Sequence, residues 1–80
     1  MEPINKGEFV KFANGESYYA IDTIIYNNKK YIYFAKQEGG VVAFLGKELI
    51  DNNELVIDVV EDKEEVKKVM SLFVEKNNWK

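Results

Sequence analysis

The chain predicts an α+β fold: a twisted antiparallel sheet of four to five strands, a meander of hairpins, packed against one C-terminal amphipathic helix. Two observations predict it. From residue 7 to residue 60, runs rich in β-branched and aromatic residues alternate with Gly and Asn clusters, the pattern of short strands joined by tight turns. After Asp62 the apolar spacing changes once, to the i, i+3, i+4, i+7 period of a helix.

The first element is Gly7 to Ala13, joined to Glu16 to Tyr26 by Asn14-Gly15. That dipeptide accepts positive φ at both positions and suits a two-residue hairpin turn. Asn27-Asn28 has the same tolerance, so Lys29 to Lys36, dense in Tyr, Ile and Phe, returns as a third strand. Gly39-Gly40 interrupts the pattern. The continuous apolar run Val41-Val42-Ala43-Phe44-Leu45 follows as a buried strand, with Gly46 at a bulge or at the strand end. Asp51-Asn52-Asn53 reads as a turn, and Glu54 to Val60 as a fifth strand in which apolar residues bracket Asp58.

In the last element Val66, Val69, Met70 and Phe73 fall on one helical stripe, with Leu72 and Val74 at its margins. Asp62 with Glu65 three residues on matches an N-cap and capping box, and Glu64 adds negative charge at the positive end of the helix dipole. Asn77-Asn78 ends the helix, leaving Trp79 to fold back on the core or to stay free.

Eighty residues suffice for one domain, 1–80, and one core. A hydrophobic fraction of 46% with 31% charged residues is the composition of a chain that folds alone. There is no cysteine, which removes disulfides, thiolate ligands and a cysteine nucleophile. All eleven basic residues are lysine and there is no histidine, so the bidentate guanidinium and the usual proton shuttle near neutral pH are missing as well. Met1-Glu2-Pro3-Ile4 lacks the basic and apolar segments of a signal peptide, and no apolar run approaches the roughly 20 residues of a bilayer span. The expectation is a cytoplasmic protein without membrane contact.

The net charge of −3 is uneven. Residues 1–47 carry six lysines against five acids, and residues 48–80 carry five against nine. Nucleic acid binding is driven by cationic side chains displacing counterions, so this balance disfavours it as a partner.

Several stretches resemble the YrzB-like family of small Firmicute proteins of unknown function. Ile21-Asp22-Thr23-Ile24-Ile25-Tyr26-Asn27-Asn28-Lys29-Lys30-Tyr31 is similar to that family's aliphatic-Asp-x-aliphatic pattern followed by Tyr-x-x-Lys-x-Tyr. Val41-Val42-Ala43-Phe44-Leu45 and the acidic helix opening Glu61-Asp62-Lys63-Glu64-Glu65 also look like family features. The resemblance implies the fold and a bacterial origin; it assigns no activity and no functional residue.

Paired-carboxylate catalysis needs two acids on a rigid frame around a cleft. The Glu61 to Glu65 cluster is explained by helix capping, and Asp22 and Asp58 by solvent-facing slots in alternating strands. Without His or Cys only oxygen ligands remain for a metal, and Asp51-Asn52-Asn53-Glu54 lacks the spacing and glycine of a calcium loop. Gly39-Gly40 matches no phosphate-binding motif, and Ser17, Thr23 and Ser71 have no histidine to activate them. No cofactor, no metal and no enzymatic activity are expected.

Register supplies one surface. A two-residue turn at Asn14-Gly15 pairs Phe12 with Ser17, Val10 with Tyr19 and Glu8 with Ile21. Continued through Asn27-Asn28, that face gathers Ile25, Ile32 and Phe34, where the helix stripe is expected to pack. The opposite face then collects Phe9, Lys11, Tyr18, Asp22, Ile24, Tyr26, Tyr31 and Tyr33, with four of the five tyrosines together. Tyrosine gives large contact area at low entropic cost, so this face is the candidate interaction surface, for a protein partner or a homodimer. The alternative is single-stranded nucleic acid stacked on the tyrosines and held by Lys11, Lys29, Lys30 and Lys36. The plainer explanation of the tyrosines is strand propensity, with the later strands curling over part of the face.

Overall fold

A computed structural model describes residues 4–12, 15–37 and 41–79. Strands β1 (Phe9–Lys11), β2 (Ser17–Tyr26), β3 (Lys29–Gln37), β4 (Val41–Asp51) and β5 (Glu54–Val59) precede one helix, α1 (Lys63–Asn77). The strands lie side by side in chain order, every neighbouring pair antiparallel, in a sheet curled into a half-barrel. The fold is the expected α+β meander with its C-terminal helix.

Two of the turns follow from asparagine. Asn27 and Asn28 take φ of 59° and 63°, and Asn52 and Asn53 take 50° and 65°. These left-handed pairs have the backbone twist that antiparallel strands need across a two-residue turn. The β2–β3 register is therefore the expected one near its turn, Tyr26 opposite Lys29 and Ile24 opposite Tyr31.

The first hairpin differs. Ala13 and Asn14 lie outside the described residues, but the Phe12 amide donates to the Glu16 carbonyl, so the last bonded pair is separated by three residues and not two. Val10 pairs with Tyr18, not with Tyr19. Strand β1 is also short, Phe9–Lys11 in place of Gly7 to Ala13. A second one-residue shift lies in β2: Ala20 pairs with Phe34 but Asp22 with Tyr33, leaving Ile21 as the extra residue of a bulge. The two shifts cancel for β1, so Phe9 and Lys11 still share a face with Asp22. They do not cancel for Tyr18, which moves to the other face, and Tyr19 takes its place beside Phe9.

Strand β4 runs to Asp51, well beyond the expected Leu45, and passes straight through Gly46. There the chain needs a residue without a side chain: a Cβ at Gly46 would lie 2.7 Å from Ile57 Cγ2 and 3.2 Å from Phe34 Cε2. Gly46 is thus a close-packing site inside a strand, neither a bulge nor an end.

Each face of the sheet has its own core. On the concave side Ile4, Ala20, Ile32 and Phe34 are buried, with Val10, Phe12, Tyr18, Phe44, Leu55 and Ile57 packed around them. Phe34 and Phe44 stack at 5.1 Å, and Tyr18 meets Phe44 edge-on at 5.0 Å, geometries that aromatic quadrupoles favour. On the convex side the helix brings Val69 and Phe73 onto Tyr31, Leu45 and Val60, with Ile24, Tyr26, Tyr33, Val66, Met70 and Trp79 at the margin. The helix thus packs on the tyrosine face, contrary to the expectation that it would cover Ile25, Ile32 and Phe34. The sheet's curl explains why: Val10 and Phe12 of β1 and Leu55 and Ile57 of β5 pack around Ile32 and Phe34, so that face closes on itself.

The N-cap and the C-terminal stop are as expected. Asp62 caps the start, its carboxylate accepting from the Glu64 amide at 2.9 Å, and Asn78 closes the end at φ 57°. Trp79 folds back and stacks on Phe73 at 6.5 Å.

Candidate interaction site

The helix is bolted to the sheet near both ends. At its C-terminal end Asp22, 1% exposed, accepts from Asn77 Nδ2 at 2.7 Å, from Lys76 Nζ at 3.0 Å and from the Thr23 amide at 2.8 Å. Burial pushes the Asp22 carboxyl up, but the bonds from Asn77, Lys76 and Thr23 outweigh it and hold the group below the usual carboxylate range. The expected solvent-facing slot for Asp22 is therefore corrected to a buried anchor. Asp58 is exposed.

At the N-terminal end the Tyr31 hydroxyl donates to Glu65, and Lys47 Nζ lies 3.2 Å from the same carboxylate. Glu65 thus reaches the sheet and not back to the cap expected of a capping box. The hydrogen bond from Tyr31 leads the causes that hold Glu65 below its ordinary value. Burial, with the bond to Glu65 second, pushes the Tyr31 phenol up to about 12.

These bolts decide the fate of the candidate face of Phe9, Lys11, Tyr18, Asp22, Tyr26, Tyr31 and Tyr33. Tyr31 is 2% exposed beneath the helix, and Tyr26 and Tyr33 are half-buried at its edges. Tyr18 is on the concave side. Phe9, 76% exposed, and Lys11 remain open, joined by Tyr19, 40% exposed and 5.1 Å from the Phe9 ring. Tyr19 escaped the sequence reading because hairpin connection length and bulge position leave no mark in a β-rich run. Asp22 did carry a signal: an aspartate between Ile21 and Ile24 needs donors if buried, and Lys76-Asn77 ends the predicted helix.

An open apolar feature lies where the half-barrel fails to close. β1 and β5 are the two edges of the sheet. They border one slot of about 370 Å³, lined by Val10, Lys11 and Phe12 on one side and Leu55, Val56 and Ile57 on the other. Five antiparallel strands in sequence order make β1 and β5 run parallel.

The backbone groups along these edges follow from the ladder. The Val60 amide donates to Leu45, and hydrogen-bonded pairs alternate along an antiparallel strand, so Asp58, Val56 and Glu54 face β4. Leu55, Ile57 and Val59 therefore direct their amides and carbonyls away from the sheet. On β1 the Phe12 to Glu16 and Ala20 to Glu8 bonds place Val10 toward β2 and leave Phe9 and Lys11 directed outward. Neither row has a strand partner among the described residues.

Among the described residues no helix is long and apolar enough to cross a membrane, and no three His, Cys, Asp or Glu side chains gather as a metal site. No family model, curated protein or solved structure matches the chain.

Proposed function

We propose that this protein is a small interaction module that receives an extended segment of another protein in the opening between β1 and β5. One observation carries the reading: two unpaired strand edges border a single apolar slot. An exposed edge is a template for strand addition, in which backbone bonds give affinity and side-chain pockets give selectivity. The slot supplies both, with Leu55, Val56 and Ile57 beside the outward amides of β5. A binding role over a catalytic one is further supported by Asp22 and Glu65, the acids with a sheet-to-helix setting, being fully engaged as anchors.

The experiment is selection of extended peptides on the folded protein, followed by amide chemical-shift mapping of a selected binder. Strand addition perturbs Phe9, Lys11, Leu55, Ile57 and Val59 and protects their amides from exchange. Perturbation centred on the outer helix face around Lys67 and Ser71 overturns it. Stacking of single-stranded nucleic acid keeps only a reduced platform, the exposed Phe9–Tyr19 pair beside Lys11. Binding to mixed oligonucleotides that falls steeply with salt is its signature.

A further inference from the structure

We infer that the segment entering the β1–β5 opening is basic, its apolar side chains alternating with lysine or arginine; this rests on the strand-addition reading above. The basis is charge placed along one edge. From Asp51 to Asp62 the chain carries five acids, Asp51, Glu54, Asp58, Glu61 and Asp62, and no lysine. The remaining residues sum to +2, so the overall −3 arises from this stretch.

Asp51, Glu54, Asp58 and Glu61 are all exposed, and none makes an ion pair with another described residue. By contrast the lysines nearest in the sheet are taken: Lys47 by Glu65 and Lys30 by Glu48. Asp58 stands opposite Lys47 in the register, but that ammonium is held by Glu65, so the acids of β5 have no ion-pair partner among the described residues and lie beside 40% exposed Val56 and 47% exposed Val59.

Strand geometry assigns each side chain of the incoming segment a neighbour. Residues opposite Leu55 and Ile57 turn into the slot, against Val10 and Phe12. Residues opposite Glu54, Val56 and Asp58 turn outward and lie beside the two carboxylates. Among the described residues Lys11 is the one cation on the lining, on the β1 side. Two acids on β5 against one lysine on β1, with Asp51 and Glu61 at the two ends, leave the opening acidic.

The test uses three labelled peptides that alternate valine with lysine, with threonine or with glutamate, titrated by fluorescence anisotropy against the intact protein. The lysine peptide is expected to bind about tenfold more tightly than the glutamate peptide at low salt, from two opposite-charge cross-strand pairs in place of two like-charge ones, with threonine between. Glu54→Lys with Asp58→Lys, both at exposed positions, reverses that order while the circular dichroism spectrum stays unchanged; Lys11→Gln widens it. A lysine peptide methylated on alternate amides keeps its charge and loses its affinity.

Equal affinity for the lysine and threonine peptides overturns the basic preference and leaves strand addition standing. Undiminished binding of the methylated peptide, or binding of none of the three, overturns strand addition itself. Concentration-dependent dimerisation with shifts at Leu55 and Ile57 makes a second copy the occupant and likewise overturns the proposal.

Discussion

Asp22 remains a carboxylate in a buried site because a side-chain amide, an ammonium and a backbone amide converge on it. Asp22→Ala leaves those donors short of an acceptor, and unpaired buried donors cost about 1–3 kcal/mol, to be read as a lower urea midpoint by Trp79 fluorescence. The same residue sets a pH dependence. Asp22 and Glu65 both sit below their ordinary values in the folded chain. Their stabilisation is complete above the usual carboxylate range, about pH 4–4.5, and is lost as pH falls through the lowered folded values. Thermal stability is thus expected to be level near neutrality and to drop in acid, and Asp22→Asn with Glu65→Gln flattens that acid limb. Tyr31 gives the opposite limb. Its phenol is raised to about 12, so the contribution is present below the ordinary value of about 10 and fades as pH climbs toward the folded one. Tyr31→Phe is expected to shrink that alkaline loss, the rest falling to Tyr18, whose phenol is raised as well.

Among the elements, β4 is the one whose sequence conceals its length. Gly46 looks like a break, but Phe34 and Ile57 press against it from neighbouring strands, and only the sheet's curl makes that contact. Gly46→Ala is expected to cost about 1–3 kcal/mol by overpacking, measured as the denaturant midpoint at unchanged slope. The other elements were legible for local reasons. Asn27-Asn28 and Asn52-Asn53 declare their turns through tolerance of positive φ, and Val66, Val69, Met70 and Phe73 declare a buried helical stripe. What the chain hid was register. The three-residue separation of Phe12 and Glu16 and an extra residue at Ile21 each shift the alternation by one. Nothing in a run such as Tyr18-Tyr19-Ala20-Ile21 marks where that happens, because every residue there suits either face. Tyr18 falls on the other face for that reason, whereas the helix takes the tyrosine face because the sheet's curl already covers Ile32 and Phe34. The β1–β5 opening depends on the curl of five strands and lay beyond any local pattern.

For the whole molecule, both cores hang on one central strand. Tyr31 and Tyr33 of β3 point toward the helix, while Ile32 and Phe34 point into the concave side. A chain of this size buries too little surface for either core to stand alone, since near 60 residues only about 60% of the unfolded surface is removed from water. Losing order on one side frees β3 and so removes the floor of the other. The two sides should therefore unfold in one step. Trp79 reports the convex side through its packing on Phe73 and Tyr33, and far-UV circular dichroism reports the sheet and helix together. The two probes are expected to give coincident urea transitions. Ile32→Val, which deletes one methylene from the concave core, is expected to lower both midpoints equally, by about 0.5–1.5 kcal/mol of stability, although Ile32 faces away from the helix. A Trp79 transition that stays in place while the dichroism transition moves would show two independent cores, and would free the β1–β5 edges to open without releasing the helix.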